Sequence, residues 1–172
     1  MRRPRQLHSE SDLYESALRA LVRRAHSVHE MKQALERRAE DKALVPPIIE
    51  RLKRAGLLDD ARYAKQFVRQ RSEIRRQGKF RIARDLRTRG VPDRHIAAAL
   101  EEIAQVSDEA AVVRQRIARK LKLLRGEIDQ PKIASLYRSL LRAGFPTDII
   151  RRELRAMTRE EVPDIPDASV EL

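Results

Sequence analysis

A chain of 172 residues with 38 Lys and Arg against 26 Asp and Glu has a formal charge of +12; 37% of its residues are charged and 3% are aromatic. Zero cysteine excludes a disulfide framework and any thiolate metal site, and no run approaches the roughly 18 apolar residues that a membrane-crossing helix needs. The length suits one large domain or an array of small units at about 100–200 residues per domain, and the composition reads as that of a soluble, cytoplasmic protein. Apolar residues recur at helical spacing almost throughout, with no convincing period-two strand, so the expected fold is all-α.

The first helix is expected from Asp12, with Tyr14, Leu18 and Leu21 on one face. His26 and Ser27 interrupt it. Ser27 followed by Glu30 forms a capping box, in which each side chain satisfies a free backbone NH of the other's turn. The second helix then runs to about Arg38 with Met31 and Leu35 inward. Pro46 and Pro47 open a third helix, where a first-turn proline costs no hydrogen bond; Ile48, Ile49 and Leu52 form its apolar face and Gly56 stops it.

Next, Asp59 or Asp60 caps a helix carrying Tyr63, Phe67 and Ile74, and Gly78 breaks it. Ile82 and Leu86 lie on the following helix, which ends at Gly90, and Pro92 opens another with Ile96 and Leu100 inside. Ser107, Asp108 and Glu109 make an ordinary helix start without a capping box. The third set carries Val113, Ile117, Leu121 and Leu124, a break at Gly126, then Ile133, Tyr137, Leu140 and Leu141 up to Gly144. Pro146 opens the last helix, with Ile150 and Leu154 inside.

A shift of about 54 residues maps Leu86, Gly90, Pro92, Ile96 and Leu100 onto Leu140, Gly144, Pro146, Ile150 and Leu154. The match to the first unit is looser, at about 48 or 49 residues. This spacing predicts an elongated array of three tandem three-helix repeats, in which neighbours bury faces that no unit could bury alone. The expected limits are a flexible leader at 1–11, repeats at 12–58, 59–105 and 106–159, and a disordered acidic tail at 160–172. The competing reading is one compact bundle with coincidentally similar helix ends; the recurrence of Gly-x-Pro in register with apolar positions argues against it.

The charge is unevenly placed. Residues 160–172 hold five acids and no Lys or Arg, so the rest of the chain carries +17. Between Arg62 and Arg94 twelve cations face three acids, and 30 of the chain's 38 cations are Arg, whose planar fork pairs bidentately with phosphate or carboxylate. Arg81, Arg84 and Arg87 share one side of a helix that turns Ile82 and Leu86 inward. Arg71, Arg75, Arg76, Lys79, Arg81, Arg84 and Arg87 are therefore the candidate contacts to DNA phosphate or to an acidic protein surface. Six aromatics, most in core register, disfavour base stacking.

Nothing points to catalysis. There is no cysteine nucleophile, no G-x-S-x-G elbow and no phosphate-cradling loop; Gly78-Lys79 lacks the earlier Gly and the following Ser or Thr. His26, His29 and Glu30 lack a third ligand on one face. The expectation is a non-enzymatic binding protein with no catalytic residues, no metal, no cofactor and no membrane partner, acting as a monomer.

Two stretches resemble the RecX family of bacterial regulatory proteins: Ala17 to Leu35 and, above all, Gly56 to Val91. The shared pattern is carried by Gly56, Leu57, Asp59, Asp60, Tyr63, Ala64, Phe67, Val68, Arg71, Gly78, Lys79, Ile82, Leu86, Gly90 and Val91. The resemblance covers roughly residues 13–157. Phe80 departs from it, standing where a small residue is expected. The resemblance implies three three-helix repeats and a modulator, usually an inhibitor, of the recombinase RecA that binds in the groove of the RecA–DNA filament and suppresses ATPase and strand exchange in DNA repair, recombination and the SOS response. From the residues alone, the alternative is a general DNA-binding helical repeat, resembling helix-turn-helix regulators; an anionic-membrane binder is disfavoured because the helices lack large exposed apolar faces.

Overall fold

The structure is a computed structural model in which residues 6–123 and 128–158 are described. Among these residues the chain forms nine α-helices: α1 (Glu10–Arg23), α2 (Val28–Glu36), α3 (Val45–Arg54), α4 (Asp60–Arg69), α5 (Lys79–Thr88), α6 (Asp93–Ala104), α7 (Glu109–Leu123), α8 (Gln130–Arg142) and α9 (Thr147–Thr158). A 3-10 turn occupies Lys42–Leu44 and a π-helical turn Gln70–Ile74. The helices follow one another in three triplets, as the periodicity predicts. The expected break at Gly126 and the acidic tail lie outside the described residues.

Packing divides the described chain into two compact units. One comprises residues 6–67 with Asp85–Ala99; the other comprises Val68–Arg84 with the residues from Leu100 on. The division falls inside the middle triplet, cutting α4, α5 and α6, whereas the sequence repeat places its limits between the triplets.

In the first unit, Leu13 and Ala17 of α1, Met31 and Leu35 of α2, and Val45, Ile48, Ile49 and Leu52 of α3 make one core. Each fully buried Leu or Ile contributes about 1.5–3 kcal/mol relative to exposure. The Ser9 hydroxyl accepts from the Asp12 NH at 3.1 Å, so α1 starts at Glu10, ahead of the expected Asp12. The capping box at Ser27 is complete: its Oγ accepts from the Glu30 NH at 3.0 Å and Glu30 Oε2 accepts from the Ser27 NH at 3.2 Å. Glu30 also meets Arg24 Nη1 at 3.1 Å and the Tyr63 hydroxyl at 3.3 Å. Burial raises the Glu30 carboxyl, but the hydrogen bonds from Arg24 and the Ser27 NH outweigh it and leave the group below its ordinary range.

The ambiguity between Asp59 and Asp60 resolves into two roles. Asp59 Oδ1 caps α4, accepting from the NH groups of Ala61 at 2.9 Å and Arg62 at 3.0 Å. Asp60 Oδ1 instead accepts from the Val28 NH, at the start of α2, at 2.9 Å. The leader is structured from Leu7 onwards, where Leu7 NH donates to Arg38 O at 2.8 Å and Leu7 O accepts from the Glu40 NH at 3.1 Å.

In the second unit, Val113 and Ile117 of α7, Ile133, Tyr137 and Leu140 of α8, Phe145, and Ile150 and Leu154 of α9 form the core. Glu153 is 4% exposed and receives Arg114 Nε at 2.9 Å and Arg152 Nε at 3.3 Å. The Arg114 hydrogen bond outweighs burial and holds its carboxyl below the ordinary range. Gly144 has φ +87°, the left-handed conformation that ends many helices.

Gly78 is not the residue that turns the chain. The left-handed position after α4 and its π turn belongs to Arg76, with φ +50°. Gly78 is needed for proximity instead, because a Cβ there would overlap the Gly144 carbonyl group and the Phe145 nitrogen. Phe80 is 58% exposed, so the bulk that breaks the family pattern points into solvent. Ile74 is 76% exposed; the extra residue of the π turn rotates it off the apolar face of α4.

One contact recurs in both units. In the first, the start of α2 meets the end of α5: Ser27 Oγ donates to Arg89 O at 2.6 Å, and a Cβ on Gly90 would overlap the His29 side chain. In the second, the start of α5 meets the end of α8: Gly78 NH donates to Ala143 O at 2.9 Å and Phe80 NH to Gly144 O at 3.1 Å. A carboxylate completes each contact. Asp60 opens α4 and takes the Val28 NH, while Glu109 opens α7 and takes the Lys79 NH at 3.1 Å. The free NH groups of one helix start are thus satisfied by the following triplet in both cases.

Candidate partner-contact surface

Six of the seven cations singled out from the sequence, Arg71, Arg75, Arg76, Lys79, Arg81 and Arg84, fall in the second unit. Arg87 falls in the first, where its Nε lies 2.7 Å from Asp93 Oδ1. On α5, Ile82 and Leu86 are buried at 1% and 0% exposure while Arg84 and Arg87 are exposed and Arg81 is half-buried, as the helical spacing requires.

The π turn sets where Arg75 and Arg76 lie. After Gln70–Ile74 the Arg75 NH donates to Gln70 O at 3.4 Å and the Gln77 NH to Arg71 O at 3.0 Å. The chain then leaves in the left-handed conformation at Arg76, which costs a non-glycine residue of order 1–3 kcal/mol. Arg116 of α7 holds this end in place: its Nη2 donates to Arg75 O at 3.2 Å and to Arg76 O at 2.9 Å. Arg76 in turn donates to the Gln115 side-chain carbonyl. A cation at helix-terminal carbonyls is also favoured by the helix dipole.

This tie gathers cations from two distant stretches of sequence. Arg75, Arg76, Arg116, Arg119 and Lys120 surround a groove of about 540 Å3 whose apolar lining includes Ile74, Leu123 and Leu136. Among the described residues no acidic side chain lines it. The crowding registers on Arg116, whose guanidinium is pushed below its ordinary value by burial and then by the charges of Arg119, Arg76 and Arg81. An anion placed here would relieve that repulsion.

Arg116, Arg119 and Lys120 were missed from the sequence because α7 was read for its core positions alone. The signal was present: residues 110–126 contain six cations and no acid. Lys79, by contrast, faces elsewhere. Its ammonium sits 5.4 Å from the Phe80 ring centroid and its backbone NH is held by Glu109. Burial pushes the Glu109 carboxyl up, opposed by that hydrogen bond and by the Lys79 charge.

The histidines carry local structure. His26 Nδ1 lies 3.0 Å from Arg24 O, and His29 packs against Gly90. Among the described residues no group of three His, Asp or Glu side chains is placed to hold a metal ion. No helix among them is long and apolar enough to cross a membrane.

The described residues form a helical-repeat protein with a cation-rimmed groove in its second unit. Residues 59–100 match the family model described as the second three-helix domain of RecX. The chain is 35% identical over 148 residues to the regulatory protein RecX of Halorhodospira halophila, covering 86% of this chain and 89% of that one. It is 32% identical over 146 residues to the RecX of Chlorobium phaeobacteroides, covering 85% and 93%. A crystal structure of RecX from Lactobacillus salivarius superposes with a TM-score of 0.72 at 22% identity, over 88% of this chain and 97% of that one. Another crystal structure of regulatory protein RecX gives a TM-score of 0.72 at 20% identity, over 88% and 72%. The chain belongs to the RecX family of regulatory proteins.

Proposed function

We propose that this protein is a non-catalytic inhibitor of the recombinase RecA, binding in the groove of the RecA–DNA filament in the cytoplasm and suppressing ATP hydrolysis and strand exchange during DNA repair, recombination and the SOS response. The observation that carries the reading is the convergence of Arg75, Arg76, Arg116, Arg119 and Lys120 on one groove with no acid among its described lining residues, in a chain of the RecX family. A filament of recombinase on DNA presents phosphate and carboxylate, and guanidinium groups can meet either bidentately. Arg71 in the π turn and Arg81 and Arg84 on α5 add further positive charge in the same unit, while Lys79 faces away from the groove.

The test is a titration of RecA ATP hydrolysis on single-stranded DNA. The rate should fall severalfold by stoichiometric ratios and recover when Arg75, Arg76 and Arg84 are reversed to Glu together, with helicity unchanged by circular dichroism. An unchanged rate with the parent chain overturns the reading. Tight, salt-sensitive binding to one defined DNA sequence without RecA would favour a transcriptional regulator in its place.

A further inference from the structure

The groove between the π turn and α7 combines a cationic rim with an aliphatic lining. Its rim is cationic, with Arg75, Arg119 and Lys120 exposed. Its lining presents aliphatic side chains: Ile74 is 76% and Leu123 74% exposed. Among the described residues no aromatic lines it for base stacking. The matching occupant is an extended peptide that alternates carboxylates with aliphatic side chains.

The chain contains such a peptide. Residues 160–172, EEVPDIPDASVEL, intersperse five acids with Val162, Ile165, Val170 and Leu172 and contain no Lys or Arg. They follow α9, which packs on α7 and α8 in the same unit as the groove. Thirteen residues extend to roughly 40 Å, more than the breadth expected of a compact unit this size. A short tether also gives a local concentration on the order of millimolar, enough for a weak site to be filled within one molecule.

We propose that the acidic segment 160–172 docks in this groove, with its carboxylates on Arg75, Arg119 and Lys120 and its aliphatic side chains on Ile74 and Leu123. The segment then covers the cationic groove, and a polyanion must displace it to reach Arg75, Arg119 and Lys120. This inference does not depend on RecA being the partner.

The full chain has neither Cys nor Trp, so one fluorophore and one quencher can be placed without background. Ser169→Cys labelled with bimane is combined with Leu123→Trp, a quencher at the groove. Emission should be quenched at low salt. It should recover when Arg75, Arg119 and Lys120 are reversed to Glu, and likewise when Glu160, Glu161, Asp164, Asp167 and Glu171 are replaced by their amides. A second quencher at Ile74→Trp guards against Leu123→Trp disturbing the site. Absence of quenching with both quenchers overturns the proposal, as does quenching that ignores both sets of charge changes. If the free chain is unquenched and a random-sequence oligonucleotide alone shifts the Trp emission, the groove is a nucleic-acid site and the proposal falls.

Discussion

Three glycines share a left-handed backbone but answer to different constraints. Gly56 at φ +66° has nothing within 4 Å of where a Cβ would sit, whereas a Cβ on Gly144, at φ +87°, would overlap the backbone nitrogen and Cβ of Arg81. Gly56→Ala should therefore cost only the conformational penalty, about 1–2 kcal/mol. Gly144→Ala adds a clash that must push α5 from α8, and should cost at least twice as much. Urea denaturation of both variants checks the ordering; equal losses would mean that the α5–α8 contact yields without cost. From sequence, both glycines read as helix stops, and the conformation was legible in that sense. The close approach of Gly78 to Gly144 was not, because it joins positions 66 residues apart. Arg76 shows the same limit from the other side: a left-handed Arg has no sequence signature, and the fixed expectation at Gly78 was displaced by a π turn that periodicity does not reveal.

At the level of helices, each start is legible where its cap is local. The Ser27–Glu30 box and the proline-opened α3 follow from neighbouring residues. The choice between Asp59 and Asp60 was open because Asp60 serves another helix, α2, 32 residues earlier. Glu109 plays the corresponding part for α5, at a cost that Asp60's partner does not reveal. Burial raises the Glu109 carboxyl above its ordinary value near 4.5, so the folded state binds its proton more tightly than the unfolded state. Its contribution is most favourable below about pH 4.5 and is lost as pH rises through the raised value. Glu109→Gln keeps an acceptor for the Lys79 NH without the desolvated charge. The variant should be at least as stable as the parent at pH 7 and should lack this decline from acid to neutral pH. Thermal unfolding at pH 4 and 7 distinguishes this from a net-stabilising ion pair, which would make the variant weaker at pH 7.

For the whole molecule, charge was the most legible property and its arrangement the least. The +17 borne by residues 1–159 predicts attraction to polyanions from composition alone, and twelve cations against three acids between Arg62 and Arg94 concentrate it in the middle of the chain. The groove draws three of its five cations from α7, some 40 residues later, because Arg116 crosses to the carbonyls of Arg75 and Arg76. Salt dependence tests which cations act. For binding to a random-sequence duplex, the slope of log K against log salt should become shallower by about 0.9 for each phosphate contact removed. Arg75→Ala with Arg119→Ala should flatten it by nearly two such steps, and Arg87→Ala, already engaged with Asp93, by little. A flattening as large with Arg87→Ala would shift the footprint off the groove.

The contact in which one triplet's middle helix begins against the end of the next has a consequence for the chain's length. Its two halves are carried by every interior triplet: a start that needs carbonyls and a carboxylate, and an end that supplies them. The middle triplet has both, so inserting a second copy of it in tandem would give each new joint a complementary pair of surfaces. At the end of α2, the corresponding place in the first triplet, Leu7 supplies the backbone NH to Arg38 O and takes the one from Glu40. A single residue ahead of α1 thus fills, through backbone hydrogen bonds, the place that a helix start takes at the ends of α5 and α8, and the number of triplets becomes a quantity that duplication can change without redesigning a core.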